Sequence, residues 1–224
     1  MRSPPAAVIA RLLTVIFALS FTDATINAGS PQVLPPTEKV HGLTLGEWTA
    51  RWWQWVASIP PDSNPISDET GAKCNVQQSG PVFFLGGTFG GKATRTCQVS
   101  SDWHVFFPVL NTMLFWNPQG TSNEAESRAD AKAQMDNPIA LEATLDETTV
   151  EGIEAYRLTS PAFPITLPFP NIFQVPVAGT FPAVSDGYWL MLSPLEPGNH
   201  SVRFKGVAKD GFTVEVIYNL IVVR

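Results

Sequence analysis

The sequence predicts a mainly β fold, an antiparallel β-sandwich or jelly roll, with one Trp-rich amphipathic helix packed on it and a small surface helix. Three observations carry that expectation. Short β-branched and aromatic runs recur from residue 81 to the C-terminus, separated by Gly, Asp and Asn. The last run alternates cleanly, with Val214, Val216, Tyr218, Leu220 and Val222 on one face and Thr213, Glu215 and Asn219 on the other. Residues 43–59, LTLGEWTARWWQWVASI, form the only long run of clear helical period and hold four of the seven tryptophans.

In chain order, the N-terminus reads as an export signal over residues 1–28. Arg2 and Arg11 give a positive start, an apolar run follows from Leu12 to Phe21, and small residues at Ala24 and Ala28 offer two cleavage points. The apolar run is far shorter than the roughly 20 residues that span a bilayer. Signal removal after Ala28 leaves the chain one charge more negative than its formal −6. An acidic chain with no basic run lacks the phosphate-neutralising surface that nucleic-acid binding needs. A secreted or periplasmic protein is therefore expected, with no membrane span after signal removal.

Residues 29–40 read as a linker or edge segment, and residues 41–224 as one domain. The Trp helix starts on a capping box, Thr44 with Glu47, and Leu43 can staple onto Trp48. Leu45, Trp48, Trp52, Trp55, Val56 and Ile59 form its apolar stripe, Trp53 lies at the border, and Pro60-Pro61 end it. This helix should lie on sheet and share one hydrophobic interior with it. The turn-rich residues 61–80 read as a loop. Strands follow at 81–85, 94–99, 104–110 and 112–116. A helix over 121–135 offers only Ala125, Ala129 and Ala133 as an apolar face. Strands resume at 139–145, 152–159, 187–192, 200–208 and 212–223. The Lys209-Asp210-Gly211 turn makes the last two a hairpin. The proline-dense residues 160–182 suit extended loop or edge strand, because Pro cannot donate to a ladder.

Several patterns hint at chemistry. Gly86 to Ala93, GGTFGGKA, matches the first seven places of a phosphate-binding loop, but Ala93 stands where a hydroxyl must hold magnesium, and a strand follows instead of a helix. A glycine-rich hairpin is the expectation there. Cys74 and Cys97 are the only cysteines and suit one disulfide in an oxidising compartment, worth about 3 kcal/mol in the chain-entropy model. Asp62, Asn64, Asp68 and Glu69 crowd oxygen ligands into one loop without the spacing of a calcium-binding hand, which leaves calcium a secondary reading and no cofactor the first.

His104, His200 and Tyr188 are the acid–base candidates, with Arg203 and Glu215 as further available types. Arg203 points opposite to His200 on its strand, so the two cannot share a sheet face. Convergence of His104 with His200 would make a metal or acid–base site credible. Asn199-His200-Ser201 is a glycosylation sequon, relevant in a eukaryotic host. The aromatic surplus is the most usable clue, and Trp53, Phe169 and Phe173 are the candidate ligand-binding residues.

GEWTARWWQWVASIP, GPVFFLGGTFGG with the following TRTC, FFPVLN, and GNHSVRFKG with FTVEVIYNLIVV resemble motifs of a group of exported bacterial β-rich proteins without an assigned activity. The resemblance implies export and a β-rich fold, and it brings no functional residue with it. The functional expectation is an extracellular or periplasmic ligand, a glycan first, bound through exposed aromatics. A polysaccharide lyase or hydrolase on the same scaffold, or a structural, partner-binding envelope protein, are the alternatives.

Overall fold

The computed structural model describes residues 32–224, so the export signal and both cleavage points lie outside the described residues. The described residues are mainly β, with twelve strands and two α-helices. They run as β1 (Lys39–Val40), β2 (Leu43–Thr44), α1 (Leu45–Ser58), β3 (Val82–Phe84), β4 (Gly91–Ser100), β5 (His104–Phe115) and α2 (Glu124–Met135). Then come β6 (Ala140–Leu145), β7 (Thr148–Thr149), β8 (Arg157–Thr159), β9 (Phe163–Leu167), β10 (Gly179–Leu192), β11 (Gly198–Val207) and β12 (Thr213–Val223). Helix α1 begins as its sequence dictates. The Thr44 side chain accepts from the Glu47 backbone at 3.2 Å, and the Glu47 carboxylate accepts from Thr44 N–H at 2.8 Å.

Two five-stranded sheets form the body. Sheet 1 has the order β3-β5-β10-β8, with β9 also paired to β10, and sheet 2 has the order β4-β12-β11-β6-β7. The strictly antiparallel arrangement expected from the sequence needs correction, because β3 pairs parallel with β5 and β4 pairs parallel with β12. The glycine-rich stretch is the cause. It is a crossover from sheet 1 to sheet 2 and not a hairpin, so β3 and β4 separate and β5 returns beside β3 in the same direction. Residues 104–110 and 112–116 merge into one long strand, β5. A bulge lies opposite Tyr188 and Trp189, where Pro108 can go without its missing N–H. Residues 160–182 do supply an edge strand, β9, with Phe163, Ile165 and Leu167 inward.

A shared interior for helix and sheets is also corrected. Sheet 1 divides two apolar clusters. Phe83, Val105, Phe107, Leu190 and Leu192 face sheet 2, where they meet Val202, Phe204, Val216 and Leu220. Phe84, Phe106, Trp189 and Met191 face the other way, onto Trp48, Trp52 and Trp55 of α1. Burial on both faces explains why β5 and the end of β10 read as continuous apolar runs and not as alternating ones. Sheet 2 meets solvent on its outer face, where Lys92 and Arg203 flank Glu215 at 2.9 and 3.0 Å. The hydrogen bond from Lys92, with Arg203 adding to it, holds the Glu215 carboxyl below its usual value.

Two glycines set the layer spacing. A Cβ on Gly46 would lie 2.6 Å from the Thr159 carbonyl oxygen, so α1 can sit on β8 only with glycine there. Gly206 of β11 likewise lies against the Val109 backbone across the sheet interface, with no room for a side chain. The stripe expected on the second helix is shifted. Ser127, Ala131 and Met135 are buried in α2, while Ala125, Ala129 and Ala133 are exposed. Polar clamps select that face. Arg128 donates to the Ser160 carbonyl at 2.9 Å, and Arg157 of β8 reaches Asp136 at 2.6 Å and Asp186 at 2.8 Å. Cys74 and Cys97 form a disulfide across 23 positions, tying the loop after α1 to β4.

Candidate functional site: an aromatic groove

The crossover between β3 and β4 is positioned by Arg95, which sits in β4 on the inward face and is 1% exposed. Its guanidinium donates to the carbonyls of Gly86 at 2.7 Å and Gly87 at 3.0 Å, to Ile66 at 3.0 Å and Asp68 at 2.6 Å, and to the Tyr218 hydroxyl at 2.7 Å. No carboxylate pairs with it among the described residues; backbone dipoles and the phenol oxygen solvate the charge instead. Asp68 closes the loop below. Burial pushes its carboxyl up, but hydrogen bonds from Lys73 N–H, Thr70 N–H and the Thr70 hydroxyl outweigh that and hold it below its usual value. This hub fixes the start of the crossover and so the place of Phe89 at its tip.

Phe89 forms one wall of a groove of about 390 Å³. Four rings reach it from segments far apart in sequence: Trp53 from α1, Phe89 from the crossover, Phe173 from the proline-dense segment and Phe212 from the turn before β12. Phe173 lies 6.2 Å from Trp53 and 6.3 Å from Phe89, ring centroid to ring centroid, while Phe212 packs over Gly90. Phe89 is 54% and Phe212 42% exposed, so flat apolar surface faces the opening.

Polar groups share the lining. Asn111 and Thr112 come from β5, Gln134 from α2, and Lys209 and Asp210 from the β11–β12 turn. The Asn111 side-chain nitrogen is buried with no acceptor among the described residues. A narrower cleft shares Trp53, Phe89, Asn111 and Phe212 and runs inward beside Trp52 and Gly87. Apolar walls with a few fixed polar groups are the make-up of a small-ligand site.

The expected site residues fall in different places. Trp53 and Phe173 are brought together at the groove. The exposure expected of Trp53 is corrected, however: it is 6% exposed, because Phe173 covers it and its indole N–H donates to Ser185 Oγ at 2.9 Å. Phe169 is 73% exposed but does not line the groove.

His104 and His200 have separate surroundings, on sheet 1 and sheet 2. His200 bonds Asp146 through Nδ1 at 2.7 Å and the Glu196 carbonyl through Nε2 at 2.8 Å, so both ring nitrogens are engaged in holding the β6–β7 turn to β11. The His104 ring lies beside that of His41, with ring centroids 5.2 Å apart and the ring planes nearly perpendicular. Tyr188 is buried, donates to the Met135 carbonyl at 3.2 Å and lies under the Arg157 guanidinium. Burial pushes its phenol up, away from acid–base use near neutrality. Arg203 and Glu215 pair on the outer face of sheet 2, away from the histidine side of the strand.

Two of the four residues of the calcium reading, Asn64 and Asp68, are engaged with the backbone, while Asp62 and Glu69 are exposed. Asn64 donates to the carbonyls of Val56 and Ile59 and accepts from Ile66 N–H, closing the end of α1, and Asp68 is committed as above. Among the described residues no group of three or more His, Cys, Asp or Glu is set to hold a metal ion.

Phe89, Phe212, Asn111 and Arg95 were missed by sequence reading. Phe89 had a signal, a large aromatic isolated among four glycines of GGTFGG. Phe212 had a weaker one, directly after a turn. Nothing local marks Asn111 or Arg95, which depend on neighbours distant in the chain. Comparison with protein families, curated proteins and solved structures finds no match to this chain.

Proposed function

We propose that this is an exported binding protein whose aromatic groove takes a glycan. The convergence of Trp53, Phe89, Phe173 and Phe212 on one opening supports this most directly. Flat rings stack on the apolar faces of sugar rings, and the Asn111, Thr112 and Gln134 side chains supply the hydroxyl-binding partners that such a ligand needs. Binding is favoured over bond cleavage because the titratable groups at the groove are Lys209 and Asp210, and both are engaged. Lys209 donates to the Ala133 carbonyl at 2.6 Å, and Asp210 accepts from Phe212 N–H at 3.0 Å. Neither stands as a poised acid or base facing the opening. The disulfide supports the export half of the reading, since such bonds persist in oxidising compartments.

The test is retention on insoluble cellulose, chitin and peptidoglycan, followed by titration with soluble oligosaccharides of whichever polymer retains the protein. The Phe89→Ala/Phe212→Ala double variant is expected to bind roughly tenfold more weakly or worse, with two stacking contacts removed. Phe169→Ala is expected to bind as the parent does. Retention by none of the three polymers, or equal retention of the double variant, overturns the reading.

A further inference from the structure

Strand β5 is paired on both sides only at its start. Towards β3 the parallel pairing covers His104 to Phe106, and Leu85 N–H closes it on the Phe106 carbonyl at 3.0 Å. The chain then turns away into the crossover, and among the described residues no strand lies beside β5 on that side beyond Phe106. Bonded and non-bonded residue pairs alternate along an antiparallel ladder. Trp116 N–H donates to the Pro182 carbonyl at 3.1 Å, which assigns Leu114 and Thr112 to bonds with β10 and turns Met113 and Asn111 outward. Ser185, opposite Met113, has the same parity: its N–H goes to Ser160 Oγ at 2.8 Å and its carbonyl accepts from Ser160 N–H at 3.0 Å, both away from β5. The backbone N–H and C=O of Asn111 and Met113 therefore face the lane that β3 has left, with no partner among the described residues.

The narrow cleft that leads off the groove occupies this lane. It runs between Gly87 of the crossover and Val109 and Asn111 of β5, and its volume of about 60 Å³ gives roughly four water-sized positions. A sugar ring does not fit there, but a small substituent of a ring stacked at the mouth does. We propose that the groove selects glycans built from N-acetylated amino sugars, whose acetamido group enters the cleft. The inference rests on the glycan reading of the groove. The Asn111 backbone N–H donates to the acetamido oxygen, and the methyl group is buried among Trp52, Ile66 and Val109. A hydroxyl at the same ring position is too short to do either, and leaves the N–H unbonded and the apolar walls unfilled.

The test titrates the protein with chitotetraose and cellotetraose, which share ring shape and linkage and differ in the acetamido group. Chitotetraose is expected to bind roughly tenfold more tightly or better, since the hydroxyl forgoes one hydrogen bond and one buried methyl. Gly87→Ala narrows the cleft without strain, because the added Cβ meets only Val214 Cγ1, at 3.6 Å. It is expected to weaken chitotetraose binding about tenfold, to leave cellotetraose binding unchanged and to keep the parent Tm. Tetra-alanine, which offers amides without sugar rings, is expected not to compete. If Gly87→Ala does not fold, the two tetrasaccharides on the parent decide. Equal affinity for both, chitotetraose binding unaltered by Gly87→Ala, or displacement by tetra-alanine overturns the acetamido inference, while cellotetraose binding keeps the glycan reading. Binding of neither tetrasaccharide overturns both.

Discussion

Sheet 1 is dry on both sides, yet its two sides are held by different physics. Towards sheet 2 the contact is periodic: alternate residues of β5, β10, β11 and β12 interdigitate, with Phe107 stacked on Phe204 at 5.0 Å. Towards α1 the contact is directional. Each of the four helix tryptophans donates its indole N–H to a different segment, Trp48 to the Val40 carbonyl, Trp52 to Leu85, Trp53 to Ser185 Oγ and Trp55 to Val76, each at 2.9 Å. The helix thereby fixes the N-terminal hairpin, the end of β3, β10 and the loop after α1 in one arrangement. Apolar area sets how strongly the layers adhere; the indole hydrogen bonds decide which loops meet beside them. The groove lies where the two regimes meet, with Trp53 from one and Met135 and Ala208 from the other.

The largest expected effect comes from the one strongly directional hub on the periodic side. Arg95→Leu leaves the carbonyls of Ile66, Asp68 and Gly87 buried without their donor, Gly86 keeping the Tyr218 hydroxyl, and a loss of roughly 3–5 kcal/mol is expected in urea unfolding. A loss below about 1 kcal/mol would mean that water or loop movement replaces the guanidinium, and the contrast between the two sides would weaken.

A paired experiment sharpens the comparison further. Trp52→Phe and Phe107→Leu each trim a buried aromatic, one on each side of the sheet. Trp52→Phe is expected to cost about 1–3 kcal/mol more, because it strands the Leu85 carbonyl. Equal unfolding midpoints would show the indole bond to be dispensable.

The smallest effect concerns acid. The Asp68 carboxyl is held below its unfolded value near 3.8, so its contribution is present above that pH and disappears as pH falls through the lower, folded value. Asp68→Asn is expected to lose about 1–2 kcal/mol at neutral pH and to flatten the acid limb of a stability–pH curve. An unchanged limb would assign acid sensitivity to other carboxylates.

Legibility in the sequence follows the same division. The capping box of α1, the inward parity of Val214 to Val222, the β11–β12 hairpin and the pairing of Cys74 with Cys97 were all readable. The Ala stripe of α2 was misread because that helix is clamped by Arg128 and Arg157, and its polar anchors outweigh its weak apolar face. Half of the groove was visible as an aromatic surplus, in Trp53 and Phe173. Phe89 and Phe212 join it only because Arg95 and a tight turn carry them there.

By itself the sequence determined the elements that need only a few neighbouring residues: helix limits set by caps and prolines, strand faces set by a two-residue period, turns set by glycine. Tertiary structure alone decided the parallel pairs, the division of the apolar interior into two, the meeting of four distant rings and the approach of His41 to His104. Those outcomes rest on contacts between segments far apart in the chain, where register and layer order are chosen by the whole packing and no local pattern encodes the partner.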